Sequence, residues 1–164
     1  MTIAPPAAIA ALVAASLTAT LTAQAPNPPP EVLVHASALK CTFAVIATGD
    51  WKDGTAEAAV KPATLTVAFN AIDTQDGTAE AVGDSGKSHI TVRLLGNYLH
   101  FMQMDPYGAL YVTTIFSKES RPGRLQAAHS RHEYLPVAVR GLTSRPEQYY
   151  GDCEVTRSPR EEQR

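Results

Sequence analysis

A chain of 164 residues has room for one domain of ordinary size, and 45% of its residues are hydrophobic, which is enough for a packed core. The formal net charge is −2, and the 14 basic side chains are interspersed with the 16 acidic ones. Phosphate binding requires a basic face, so this balance argues against nucleic acid as the main partner and against a polybasic membrane surface.

The first 25 residues are predicted to be a cleaved signal peptide of bacterial type. No Lys, Arg or Asp precedes residue 32, and residues 7–25 are almost all apolar residues and threonine. The run ends in Ala23-Gln24-Ala25, the small-x-small pattern that a signal peptidase requires. An uncleaved anchor and a disordered Ala-rich tail remain as alternatives. We expect a secreted or periplasmic protein with no stable membrane anchor after cleavage.

The rest of the chain divides into three parts by composition. Residues 26–38 are predicted to form a Pro-rich linker, since consecutive prolines make a stiff, extended spacer. Residues 39–155 are predicted to form the folded domain. Residues 156–164 are charged and lack large apolar side chains, so we expect a disordered tail.

The folded domain is predicted to be all-β, with about eight short strands. Residues 63–72 alternate between apolar and polar side chains, and residues 40–51 do so with Phe43, Val45 and Ala47 on one face. Turn dipeptides such as Asp53-Gly54 separate the strands, and the stretch 135–147 is predicted to be a looser loop. Short connections favour an antiparallel meander.

The two cysteines connect the predicted ends of this meander. Cys41 lies in the first predicted strand and Cys153 in the last, and in an exported protein an even count indicates a disulfide. A bridge requires Cα atoms within about 7 Å, so the first and last strands should lie side by side. The sequence therefore predicts a closed or nearly closed barrel, with a two-sheet β-sandwich as the alternative.

The triplet Gly49-Asp50-Trp51 resembles the G-x-W signature of lipocalin- and avidin-like barrels. The resemblance covers three residues and lies at the end of the first strand. It implies a carrier of small ligands whose tryptophan packs across the barrel floor. A core or rim position for Trp51, without common ancestry, is the alternative.

Large apolar and aromatic residues concentrate around one predicted hairpin. Both faces of the strand over residues 98–104 carry such groups, which is unusual for a sheet with one solvated side. Either the loop over residues 135–147 covers the outer face, or that face is an interaction surface. The candidate ligand or partner surface comprises Trp51, Tyr98, His100, Met102 and Tyr111.

The histidines suggest neither a metal site nor a cofactor. His129 and His132 are three apart and would point to opposite faces of a strand, whereas His89 and His100 lie on neighbouring strands and could approach each other. No catalytic residue is predicted, since no nucleophile motif and no pair of carboxylates in a cleft is evident. We expect a non-enzymatic module that binds an unknown protein or a small apolar ligand. A secreted hydrolase using His100, His129 or His132 is the alternative, and the sequence does not predict the oligomeric state.

Overall fold

Eight antiparallel strands are hydrogen-bonded in chain order into a closed ring, in a computed structural model that describes residues 30–83, 86–106, 108–137 and 141–156. One helical turn precedes them, and the elements are α1 (Glu31–Val34), β1 (Ala38–Lys52), β2 (Thr55–Asp73), β3 (Thr78–Gly83), β4 (Gly86–Leu95), β5 (Tyr98–Met104), β6 (Leu110–Arg121), β7 (Arg124–Val137) and β8 (Gly141–Thr156). The predicted all-β meander is confirmed, and a ring forms instead of a two-sheet sandwich. The predicted signal peptide and nearly all of the predicted tail lie outside the described residues.

A disulfide joins the first strand to the last. Cys41 and Cys153 are directly opposite each other in the β1–β8 ladder, with Cα atoms 3.9 Å apart and both side chains fully buried. The pairing of β1 with β8 closes the sheet and leaves no free edge along this seam. The predicted bridge is confirmed.

Side chains that point into the ring form a single core. Phe69 of β2 stacks on Phe101 of β5 with ring centroids 3.9 Å apart and planes 10° from parallel. Burial of apolar side chains contributed by every strand is the main favourable contribution to such a fold. The other largest fully buried side chains are those of Phe43, Leu33, Leu39, Leu99, Ile115 and Val92.

Helix α1 belongs to the folded domain, although residues 31–38 were predicted to be part of the linker. Leu33 is fully buried in the core, and Ala36 is also buried. The backbone N–H of Ile72, near the end of β2, donates to the carbonyl of Ser37 over 3.0 Å. We call this the closed end of the ring. The opposite end, where β1, β3, β5 and β7 finish, is the open end.

A β-bulge in β1 reverses the predicted inward and outward positions beyond it. The register shifts between Phe43 and Val45 in the ladders with both β2 and β8. An extra residue in a strand exchanges the faces of all the side chains that follow. Ile46 therefore packs against the core, whereas Val45 is 38% exposed and Ala47 shares its outward side. The prediction that Phe43, Val45 and Ala47 share one face is wrong.

The hairpin of β1 and β2 extends beyond the ring. Strand β2 begins at Thr55 rather than near residue 63, and its ladder with β3 begins only at Ala68. Among the described strands, residues 49–52 therefore pair only with β2, and residues 55–62 pair only with β1; we call these two segments the arm. The turn between them has positive φ at Asp53 and Gly54, as a type I′ turn requires.

Residues 135–137 and 141–147 are paired strand and not the predicted loop. Leu135 lies opposite Thr143, and Val137 lies opposite Gly141, in the β7–β8 ladder. These pairs lengthen the β7–β8 ladder along the direction of its two strands. The described residues of this stretch therefore pair with each other and do not form a loop over the outer face of β5.

Candidate functional site

The open end of the ring contains a cavity of about 370 Å³. In β4 the inward side chains of Ile90 and Val92 are branched and buried. Nearer the open end, the inward positions of β3 and β4 carry small residues, namely Ala81, Gly83 and Ser88. Small side chains leave space that the facing strands do not fill. The lining is Leu65, Thr66, Val67, Ala81, Gly83, Gly86, Ser88, Gln103, Asp105, Tyr111, His129 and Arg131.

Aromatic rings form one wall of the cavity. Tyr111 of β6 is nearly parallel to His129 of β7, with centroids 6.2 Å apart. Phe43 lies 5.6 Å from the same imidazole, and Tyr149 lies 5.8 Å from it, between centroids. The rings form one layer of contacts between the core and the cavity.

His129 is held by a hydrogen bond to a neighbouring strand. Its Nδ1 lies 2.8 Å from the Oγ1 of Thr113, and both side chains are buried. Burial, reinforced by the positive charge of Arg131, lowers the pKa of His129 to about 4. The imidazole is therefore neutral at neutral pH and provides one acceptor and one donor nitrogen.

A chain of polar contacts joins β7 to β8 beside the aromatic wall. The Arg131 guanidinium donates to the Tyr149 hydroxyl over 3.2 Å, and this hydroxyl donates to the Glu147 carboxylate over 2.8 Å. Burial and the bond to Glu147 raise the pKa of Tyr149. Arg131 also lies 5.8 Å from the ring centroids of Tyr111 and Tyr149, within cation–π range. Its charge is thus offset by Glu147, whose carboxylate is 3.9 Å away, and by two aromatic faces.

Trp51 does not have the role that the lipocalin resemblance implies. It lies on the arm, opposite Ala56, and is 66% exposed. A tryptophan across the barrel floor would be buried, and so would one in the core. In this structure the closed end is occupied by α1, and both the floor position and a core position for Trp51 are excluded.

The structure divides the remaining predicted surface residues between two sides of the sheet. Tyr98, His100 and Met102 lie on the outer face of β5, because Leu99 and Phe101 point inward. Outer-face contacts hold two of them: Tyr98 packs edge-on against Phe116 at 5.7 Å, and His100 Nδ1 lies 3.0 Å from Thr114 Oγ1. Tyr111 instead points inward and lines the cavity.

The four histidines considered for metal binding are not brought together. His129 points inward, and His132, on the other face of β7, is exposed. His100 of β5 pairs with Arg93 of β4, whereas His89 of β4 pairs with Glu80 of β3. Within the described residues, no group of three His, Cys, Asp or Glu side chains could hold a metal ion.

Sequence reasoning missed most of the cavity residues. Ser88 is two positions before buried Ile90, and Gln103 is two positions after buried Phe101, with Gln103 Nε2 donating to Ser88 Oγ over 3.2 Å. Extending the two-residue alternation past the last apolar residue would have found both. Local sequence could not predict that both residues line one cavity, because they lie on different strands. Arg131 was missed for the same reason.

A second hollow of about 370 Å³ lies on the outer surface, between the arm and the β7–β8 hairpin. It includes Gly49 and Ala58 of the arm together with His132 and Pro146. It is more open than the cavity and lies outside the ring. We therefore place the candidate site in the cavity, where polar groups from several strands converge.

The chain matches no family model and no curated protein. In the part of the chain that the structure describes, no helix is long and apolar enough to cross a membrane.

Proposed function

We propose that this protein is an exported binding protein that holds a small, largely apolar molecule in the cavity at the open end of the ring. The observation that carries the proposal is the cavity itself, whose volume of about 370 Å³ falls within the range of natural ligand pockets. The mouths of β-barrels are a common location for such pockets. The closed end, blocked by α1, offers no second entrance among the described elements.

The lining supports a ligand with an apolar body and one or two hydrogen-bonding groups. Leu65, Val67 and the face of Tyr111 provide apolar contact, and Ser88 and Gln103 provide polar groups. Burial of the ligand's apolar surface would provide most of the affinity, and the polar groups would orient it.

The charged groups of the wall argue against a strongly charged ligand. The two charged lining residues, Asp105 and Arg131, have opposite signs, and Arg131 is also 3.9 Å from Glu147. The neutral imidazole of His129 adds no charge at neutral pH. A charged ligand would have to displace or compete with this internal pair at the cost of its own hydration. A neutral molecule would not have to displace this pair.

The same features favour binding over catalysis. A general base works best when its pKa is near the operating pH, and that of His129 is lowered to about 4. Its hydroxyl partner Thr113 is buried beneath the cavity wall. Hydrolysis through His129 is therefore the weaker proposal.

The disulfide supports export. Structural disulfides form and persist in oxidising compartments, so a fully buried bridge between Cys41 and Cys153 fits a periplasmic or extracellular protein. The apolar leader over residues 1–25 is the other support for this location.

A fluorescence titration tests the proposal. The neutral dye N-phenylnaphthylamine has an apolar body and one N–H group, and we expect it to bind saturably with a blue-shifted emission. Filling the cavity with Ala81→Phe should abolish this signal, because Ala81 is a buried lining residue. The control Val82→Phe, on the other side of the same strand, should leave binding unchanged.

A second filling variant covers the case in which Ala81→Phe does not fold. Gly83→Leu enters open space, since a Cβ at this position would have no atom within 4 Å and the φ of Gly83 is not positive. Loss of dye binding in a folded Gly83→Leu protein supports the proposal. No saturable binding by the unmodified protein, or equal binding by all variants, would overturn it.

A further inference from the structure

We propose that the free edge of β2 in the arm pairs with the same edge of a second copy of this chain, making a four-stranded antiparallel sheet with its twofold axis at Ala59. The dimer is independent of what the cavity binds. Its basis is the backbone of the arm and the order of its charged residues.

The edge is long and exposed. From Thr55 to Val67, β2 pairs with β1 on one side and with no described strand on the other. Every side chain of residues 50–62 is exposed, including Val60 at 73%. An unpaired strand edge is a template for pairing with another chain.

The turn determines which backbone groups face this edge. In a two-residue turn the Thr55 N–H donates to the Lys52 carbonyl, so this pair is hydrogen-bonded within the arm. Because hydrogen-bonded and non-hydrogen-bonded pairs alternate, Ala56, Ala58 and Val60 direct their N–H and C=O groups away from β1. Pro62 follows in the same series but offers only its carbonyl, so with Ala59 opposite Ala59 the pair of Ala56 with Pro62 of the second copy forms one backbone hydrogen bond and not two.

One register makes two copies complementary. When the strands run antiparallel with Ala59 opposite Ala59, each Ala58 lies opposite Val60 of the second copy and exchanges both backbone hydrogen bonds with it. In the intervening, non-hydrogen-bonded pairs, Glu57 lies opposite Lys61 of the second copy. Side chains are closest in such pairs, about 4.5–5.5 Å between Cβ atoms, so opposite charges there stabilise the sheet.

The charges select this register over its neighbours. A shift of the pairing centre by one residue places Glu57 and Lys61 opposite uncharged residues of the second copy. The twofold axis makes the Glu57–Lys61 pair occur twice, so each copy provides both halves of the complementarity. The small side chains of Ala58 and Ala59 at the centre allow the backbones to approach.

The arm also has an apolar outer face, which this pairing leaves on one side of the joint sheet. Gly49 and Trp51 of β1 share that face with Ala56, Ala58 and Val60 of β2, by the alternation of the β1–β2 ladder. A lipid surface is the other occupant that such a face could meet. The net charge of the arm and its turn is slightly negative, which gives no attraction to anionic lipids.

Sedimentation analysis of the oxidised full chain tests the dimer. We expect a concentration-dependent dimer, and Lys61→Glu should raise its Kd about tenfold, because two attractive pairs become repulsive. The double variant Glu57→Lys with Lys61→Glu should restore dimerisation, since the charges are again opposite. Lys52→Glu, on the other strand of the arm, is the matched control and should have no such effect.

A backbone variant gives an independent readout. Val60→Pro removes an N–H that points to the free edge and not to β1, so we expect a folded protein that no longer dimerises. A monomer at all concentrations would overturn the proposal, as would a dimer that the charge variants do not affect. A monomer whose Trp51 emission shifts to the blue on phosphatidylcholine vesicles would assign the arm to a lipid surface instead.

Discussion

Among the described residues, folding moves the pKa of the His129 imidazole far from its ordinary value. It is 6% exposed, and its hydrogen bond to Thr113 and its contacts with three aromatic rings are made in the neutral form. Desolvation and Arg131 lower its pKa from 6.5 to about 4. Between these two values the unfolded chain binds more protons at this residue than the folded protein does.

The free energy of unfolding should therefore fall as the pH decreases through this range. The contribution of His129 is complete above pH 6.5 and is lost progressively down to about pH 4, where the loss reaches roughly 3 kcal/mol. Urea unfolding at intervals from pH 7.5 to pH 4 measures this dependence. His129→Gln should flatten it, whereas His132→Gln, at an exposed position on the other face of β7, should not. Identical slopes for the two variants would contradict the assignment.

The seam between β1 and β8 depends on the bulge in β1 and on Gly151 opposite it. Phe43 pairs with Gly151, and the register then shifts before Val45 pairs with Tyr150. A Cβ on Gly151 would overlap the Thr42 carbonyl and lie 2.6 Å from the Phe43 Cα. The two backbones approach here more closely than any other residue would allow.

Gly151→Ala should therefore destabilise the protein, by about 3 kcal/mol or more, because backbone cannot move aside as a flexible side chain can. Gly49→Ala is the matched control on β1, since its Cβ would meet only Pro146 Cγ at an ordinary 3.8 Å. That substitution should be neutral or slightly stabilising. Thermal and urea unfolding compare the two variants. Equal changes in the free energy of unfolding would show that the close backbone approach at Gly151 does not determine the effect of the substitution.

Closure of the ring is a property of the whole molecule, and the disulfide reinforces it. The bridge spans 112 positions between the first and last strands, so it removes much of the freedom of the unfolded chain. Its Cα atoms are already neighbours in the β1–β8 ladder, which exists through many other pairs. We expect the bridge to stabilise the ring without being needed to define its topology.

The variant Cys41→Ser with Cys153→Ser should lose about 4–5 kcal/mol of unfolding free energy, as the chain-entropy model gives for a loop of this size. It should keep the same strand content by circular dichroism. Urea unfolding of the oxidised protein, the reduced protein and the variant measures the difference. Unchanged stability would indicate that the sheet alone holds the seam, and loss of strand content would show that the bridge defines the fold.

Much of the architecture could be predicted from the sequence, because it depends on local patterns. The two-residue alternation that ends in buried Phe69 and the turn at Asp53-Gly54 depend on neighbours in the chain. The positions of Cys41 and Cys153 at the two ends of the meander were sufficient to predict closure. None of these predictions depends on the exact pairing register of the strands.

The cavity and the arm were decided by the tertiary structure. Leu65, Ser88 and Arg131 line one space only because closure brings their strands around it. The bulge at Phe43 and Val45 decided which side chains face out beyond it, and no local pattern marks it. Strand alternation tells which side chains share a face, but pairing between distant strands decides where that face points and whether it is filled.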